Sequence, residues 1–415
     1  MSRNVISGYV TATVTSLLLM TGNVCWSQEP IKVGFVSIFS GRVAMLGETG
    51  FKGAQLAAEE LNQRGGVLGR KIELISRDSG GKIEEAVRLA RELITKDGVH
   101  FLIDHSSSRE AFAVKEVSRD LKVLTMVTAS ETTAHTADPK IWTKYSARTA
   151  RQSIHDAVAG GYYAAELARK HGLKKWSSVS PDYAYGRDLT DNFFWALKSF
   201  YPEVEIVSQY WPKLFEPDYT AHINALLRDK PDAFFSALWA GDLVTFVEQA
   251  NLYGLFKKSM FFGINLADYT VLKALKKVPE GLHSGTRYLE EAPPTEANKK
   301  FARDYSAKYG ELPTNWAQEC YTGMRMLAGA IEKAGTTDTE AVIGALRGLR
   351  MNLPWGAPPE GIVEMRERDQ TLIYYATGWG KTISDPPYVV DLVFPPWSEI
   401  LKYEDKWLKE QGWLQ

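Results

Sequence analysis

Cysteine is nearly absent from the chain. Of 415 residues only Cys25 and Cys320 are cysteine, too few for a disulfide scaffold. Charge of one sign is not in surplus either. There are 49 Lys+Arg against 50 Asp+Glu and a net charge of −1, whereas a nucleic-acid-binding domain usually carries a strongly basic face. Histidine numbers 7 and is scattered, so a nucleophile with its base and orienting acid cannot be assembled from spacing. The strings GxGxxG, GxxxxGK, HExxH and GxSxG do not occur, which removes the enzyme classes these motifs announce. Beyond the N-terminus no apolar run approaches the roughly 20 residues that a membrane-spanning helix needs. What remains is an ordinary globular balance of 45% hydrophobic and 24% charged residues. Aromatics are plentiful at 12%, including 12 Trp, and supply large apolar surfaces, some of which could face a ligand.

The first 27 residues have the pattern of an export signal. Arg3 gives a positive start, residues 10–20 form a short apolar core, and Cys25 and Ser27 are the small residues before a cut at Gln28. A lipid-attachment reading of Cys25 wants a bulky apolar residue where Gly22 stands. Removal of the leader leaves Cys320 as the sole cysteine. It lies in an apolar helical stretch, where a buried inert thiol is expected.

From residue 31 onward, strands and helices alternate. Residues 31–36, 71–75, 101–103 and 123–127 are β-branched or aromatic runs, separated by helical stripes such as Ile83, Ala86, Val87, Ala90, Leu93 and Ile94. The cycle resumes after Arg148, with strands expected near 176–179, 204–209, 233–238 and 260–263. Alternation of this kind implies βαβ units and parallel sheets. Two such series predict an α/β protein of two doubly wound lobes. A helical section follows over 296–349. The end from 385, with Pro386-Pro387 and Pro395-Pro396, reads as an irregular tail carrying one short helix near 400–410.

Open parallel sheets bind ligands beyond the carboxyl ends of their strands, so the residues just after each strand are the candidates. In the first half these are the segment 37–47, the Asp104-His105-Ser106-Ser107-Ser108-Arg109 run that opens a helix, and Thr128 to Glu131. In the second half they are Asp182 to Gly186, Trp239 to Asp242, and Ile264-Asn265. Serines at a helix N-terminus either cap the helix or seat an anion.

The string GRVAMLGETGFKGAQLAAEELNQRGGVLGRKIEL, residues 41–74, resembles the N-terminal signature of the type I periplasmic binding proteins of the leucine/isoleucine/valine-binding family. The SSSRE, TASETT and DYAYGRDL segments follow in that family's order, and the likeness runs over residues 31–381. The resemblance implies two lobes joined by three crossovers, with hinges near 148, 285 and 360. It divides the chain into a signal peptide (1–27), a first lobe (28–148 with 285–360), a second lobe (149–284 with 361–384) and a tail (385–415). It further implies an extracytoplasmic, monomeric solute-binding protein serving the membrane permease of an ABC importer, with no catalysis, no cofactor, no metal and no nucleic-acid partner. An exported sensor of the amide-sensor type shares the fold.

Carried over by position, Leu46 stands where the family often has an aromatic lid. Ser107 or Ser108 stands where a hydroxyl holds the ligand carboxylate, a gapless alignment favouring Ser108. Ala129 with Ser130 or Glu131 matches the backbone-and-hydroxyl pair, and Tyr185 and Trp239 match pocket aromatics. Asn265 departs from the pattern. Amino-acid binders place an acid there for the ligand ammonium, which Asp242 or Glu131 would otherwise have to supply. An uncharged Asn265 together with donors from Ser107, Ser108 and Arg109 points to a carboxylate without an amino group; a branched-chain amino acid is the alternative. The leader reading makes one direct prediction: exported protein begins near Gln28, and N-terminal sequencing that returns Met1 would overturn it.

Overall fold

The computed structural model describes Met1 and residues 29–374 and 377–414. Apart from Met1, the expected leader over 1–27, with Cys25, lies outside the described residues.

The first lobe is built on a parallel sheet of five strands: β1 (Ile31–Ser37), β2 (Ile72–Asp78), β3 (Phe101–His105), β4 (Thr125–Val127) and β5 (Ser146–Arg148). Their order across the sheet is β2-β1-β3-β4-β5. The strands alternate with α1 (Ala44–Gln63), α2 (Ile83–Thr95), α3 (Ser108–Leu121) and the short α4 (Ala134–Ala137). Central β3 is buried at every residue, as a strand covered on both faces must be. Phe35, Phe101 and Ile103 face one core, Val36 and Leu102 the other.

The second lobe repeats the plan. Strands β6 (Lys175–Val179), β7 (Glu205–Tyr210), β8 (Ala233–Ser236), β9 (Met260–Gly263) and β10 (His283–Thr286) alternate with α5 (Ser153–His171), α6 (Ala184–Phe200), α7 (Thr220–Asp229), α8 (Ala240–Leu252) and α9 (Tyr269–Ala274). The order β7-β6-β8-β9-β10 is that of the first lobe shifted by five strands. In both sheets the order reverses beside the first strand, and these two switch points face the interlobe cleft. Helix α5 lies close to α6 because it carries glycine at the contact: a Cβ on Gly161 would stand 2.7 Å from Ala196 Cβ, and one on Gly160 would stand 2.6 Å from the Trp379 ring.

The chain then returns to the first lobe with α10 (Glu296–Tyr309), α11 (Asn315–Ala334), α12 (Thr339–Leu346) and a small antiparallel sheet of β11 (Arg350–Ala357), β12 (Ile362–Met365) and β13 (Leu372–Ile373). Val363, Met365, Leu372 and Tyr374 join the core of Phe35 and Phe101. The last crossover therefore falls after Tyr374, not near 360, because these apolar side chains stay with the first lobe. The division at 361 expected from sequence is corrected accordingly.

The stretch after 385 is not an irregular tail. β14 (Gly378–Thr382) pairs antiparallel with β10, and β15 (Val389–Val393) pairs antiparallel with β14, completing a seven-stranded sheet. Helix α13 (Trp397–Glu410) packs Ile400, Trp407 and Leu408 into the second-lobe core. Its Glu404 is fully buried and takes both guanidinium nitrogens of Arg366, at 2.8 and 2.9 Å, and His155 Nε2 at 3.1 Å. Arg366 belongs to the first-lobe extension and His155 to α5, so one carboxylate fastens α13 to both lobes. Burial works against the charge on Glu404, yet His155 and Arg366 hold its carboxyl well below the usual range.

Removing one partner from such a buried pair costs about 3–5 kcal/mol. Glu404→Ala is expected to lose that much stability at neutral pH, as urea unfolding will measure. Because the folded-state pKa is depressed, this contribution is present above the unfolded value of about 4.5 and is lost as pH falls below it. The gap between wild type and variant should therefore narrow in acid.

Candidate functional site

The cleft between the lobes holds a narrow pocket whose empty space, counting what opens to solvent, is about 330 Å³. Every expected element contributes from its strand end. Leu46 comes from the first turn of α1, Ser106 to Ser108 from the β3–α3 junction, and Ala129 and Glu131 from beyond β4. Tyr183 and Tyr185 enter after β6, Trp239 after β8, Asn265 after β9, Arg287 after β10, and Trp316 from the start of α11. The walls are mostly aromatic: Tyr183 and Tyr185 lie 5.9 Å apart, and Trp239 meets Trp316 edge to face at 6.1 Å. Ile38, Val43, Leu46 and Trp316 extend the apolar core of the second lobe across the cleft.

Hydrogen bonds divide the labour among the serines. Ser107 is the N-cap of α3; its backbone N–H and its hydroxyl both donate to Glu110 Oε2, at 3.3 and 2.8 Å. Ser106 donates to Asp104 Oδ1 at 2.5 Å. Ser108 is the first residue of the helix, and its Oγ accepts from Ser130 Oγ at 3.1 Å, which leaves its own hydroxyl hydrogen to donate into the cavity. That hydroxyl stands at the positive end of the α3 dipole, where backbone N–H groups of the first turn lack intrahelical partners. Ser107 thus caps the helix, and Ser108 is left free of that task.

Two of the ten residues expected from sequence do not line the cavity. Arg109 is exposed, and its guanidinium donates to the Gly81 carbonyl at 3.4 Å. As the second residue of α3 it is turned away from the side that Ser108 presents. Ser130 is buried behind Ser108 and acts on the cavity through it. Asp242 also lies elsewhere: it accepts from the Phe215 N–H at 2.8 Å and pairs with Arg42 at 3.6 Å, a contact between the lips of the two lobes. His105 sits below the cavity against Thr128 and Cys320; burial brings it down to about 3, so the ring is neutral, and burial holds the Cys320 thiol protonated.

Of the other lining residues, Ser106 and Tyr183 fall in the strand-end segments expected from sequence, whereas Trp316 and Arg287 fall outside all of them. Ser106 and Tyr183 are direct neighbours of expected residues. Trp316 comes from α11, which returns to the cleft only through the fold, and Arg287 follows β10, whose His283-Ser284-Gly285-Thr286 sequence carries no apolar run.

Arg287 is 2% exposed and bonds a carboxylate from each lobe: Glu131, and Asp268 at 2.7 Å. Burial opposes the charge on Arg287, but Asp268 and Glu131 more than offset this and raise its pKa. Glu131 moves the other way for its kind. Burial lifts its carboxyl to about 7, and Arg287 only partly restrains it because that cation is shared with Asp268. Several polar atoms of the lining residues have no partner: Glu131 Oε2, Arg287 Nε, Asn265 Oδ1 and Trp239 Nε1. The Asn265 amide nitrogen is committed to Tyr185 Oη at 3.1 Å and the Leu238 carbonyl at 2.9 Å, so its oxygen is left as an unpartnered acceptor at the cavity. Among the described residues no cluster of His, Cys, Asp and Glu suits a metal ion, and no helix is long and apolar enough to cross a membrane.

Two α/β lobes with a polar-floored aromatic cavity between them define a two-lobed ligand-binding protein. The chain belongs to the periplasmic binding protein family, whose model matches residues 30–375, and whose members include the solute-binding components of ABC transporters. It is 26% identical over 330 residues to the Leu/Ile/Val-binding protein homolog 7 of Brucella abortus, covering 76% of this chain and 80% of that one. It is 24% identical to the leucine-, isoleucine-, valine-, threonine- and alanine-binding protein of Pseudomonas aeruginosa, over 79% and 85% of the two chains. Its fold matches a solute-binding protein of an ABC transporter from Rhodopseudomonas palustris, solved with 3,4-dihydroxybenzoic acid, at a TM-score of 0.77 and 24% identity, covering 87% and 95%. It matches a leucine-binding protein of Thermotoga maritima at 0.72 and 22%, covering 88% and 98%.

The Arg287 junction gives a stability prediction. Arg287→Ala leaves Glu131 and Asp268 without the cation between them and is expected to lower the unfolding free energy by about 3–5 kcal/mol, measurable by urea denaturation.

Proposed function

We propose that this chain is exported by its N-terminal leader and binds a small organic carboxylate without an amino group, which it hands to the permease of an ABC importer. Binding closes the two lobes on the ligand. The observation that carries the reading is the seat at Ser108: a hydroxyl free to donate at the N-terminus of α3, below aromatic walls, with uncharged Asn265 across from it. Charge-assisted hydrogen bonds from such donors are about twice as strong as neutral ones. Tyr183, Tyr185, Trp239 and Trp316 suit a flat, aromatic ligand body. Asn265 Oδ1 suits a hydroxyl at its far end.

A second reading has a specific observation in its favour. Glu131 Oε2 is unpartnered, so a ligand ammonium could bind there, as in a branched-chain amino acid binder.

Calorimetry separates the two. Benzoate, 4-hydroxybenzoate and phenylpropanoate are expected to bind, and leucine, valine and phenylalanine to bind more weakly by about 2–5 kcal/mol, the penalty for a buried charge short of its partner. Ser108→Ala should weaken the acids by roughly tenfold or more, since it removes a hydrogen bond to a charged group, while Arg109→Ala should leave them unchanged. Micromolar leucine binding without binding of the acids would transfer the ligand to the second reading.

A further inference from the structure

Beneath the cavity the lobes share a buried ionic cluster with more acids than bases. Glu131 and Glu319 come from the first lobe, Asp156 and Asp268 from the second. They face two cations, Arg287 and Arg151. Arg151 donates to the Arg287 carbonyl and to Thr377 Oγ1 at 3.2 Å, and its Nε stands 4.0 Å from Glu319. Thr377 in turn donates to Asp156. Glu131 Oε2, Asp156 Oδ2 and both oxygens of Glu319 have no hydrogen-bond partner. Tyr183, Tyr185 and Tyr374 are the remaining titratable groups facing Glu131. Burial raises the Glu319 carboxyl well above its usual range, and with both its oxygens unbonded it is the first to be neutralised; three carboxyls against two guanidiniums still leave an excess of negative charge in the buried cluster. A buried group in that position is neutralised by a proton. Of the four carboxyls, only Glu131 lines the cavity, so it is the one that a ligand meets.

We propose that Glu131 sets the class of ligand by carrying a proton: the cleft takes up an amino-free carboxylate together with one proton, which resides on Glu131. The inference rests on the reading of Ser108 as an anion seat. An arriving carboxylate adds negative charge to a site that already holds too much, and the nearest acid responds by protonation. The protonated Glu131 then offers an O–H donor in place of a bare acceptor. A ligand ammonium does the reverse: it pairs with ionised Glu131 and drives the proton off. The sign of proton exchange thus reports the ligand class. Burial of Glu131 makes the effect accessible, since its carboxyl is already lifted toward neutrality in the free protein. Above that range each proton must be drawn from solvent, and the acid's affinity falls by up to about tenfold per pH unit.

The test is calorimetry of the full chain with benzoate, 4-hydroxybenzoate and leucine at pH 8, run in phosphate and in Tris, whose ionisation enthalpies differ. The expected result is an uptake approaching one proton per aromatic acid, with affinity weakening toward tenfold between pH 8 and pH 9. Glu131→Gln should bind the acid with no proton exchange, with a flat pH profile, and more tightly than wild type at pH 9. An aromatic acid that binds wild type without proton uptake would overturn the proposal and leave the anion seat standing. Leucine binding, while the acids fail to bind, would overturn both. The wild-type proton count decides the matter even if the variant does not fold.

Discussion

Arg287 stands where the two lobes meet, with Glu131 of one and Asp268 of the other on its guanidinium. Planar, multivalent donation of this kind suits arginine and no other side chain. It joins three tasks in one group: it links the lobes, it floors the cavity, and it holds Glu131 so that one oxygen faces inward. Glu131 thus belongs at once to the cavity and to the junction of the lobes. A change in the charge of that carboxyl alters its attraction for Arg287, and with it the balance between Arg287 and Asp268.

The rest of the cavity follows from topology. Both sheets carry the same strand order, and in each the order reverses beside the first strand. Loops after neighbouring strands then diverge and leave a crevice. Because the two crevices face each other, residues as far apart in sequence as Leu46 and Trp316 share one cavity. The helix that begins at Ser108 points its positive end into that space, and Ser107, Glu110 and Ser130 spend their hydrogen bonds on holding it there.

The C-terminal helix adds a constraint of its own. Residues beyond 375 lie past the region that the family model matches, yet they complete the second sheet and bring Glu404 to a buried seat between Arg366 and His155. An apolar face alone would have fixed α13 to the second lobe. The carboxylate also ties it to the first, so the three hinge crossovers run beside a further connection made of side chains.

Much of this was legible in the residues themselves. Apolar runs of period two and stripes of period 3.6 give the alternation of strand and helix, and the string over residues 41–74 carries the family resemblance. Strand-end positions single out Leu46, Ser108, Glu131, Tyr185, Trp239 and Asn265. Local pattern could not say which way a side chain leaves its helix, so Arg109 was grouped with Ser108 although one residue of helix rotation turns it to solvent. Nor could it show that β12 and β13 stay with the first lobe, because that depends on Val363, Met365 and Leu372 finding partners more than 200 residues earlier in the chain. Arg287 carries no motif, and its importance comes only from the carboxylates that folding places around it. The sequence by itself determined the elements, their order and the kind of residue at each strand end, since these depend on spacing along the chain. Tertiary structure alone decided which of those residues meet and which atoms are left without a partner, because desolvation and charge pairing exist only once distant segments are buried together.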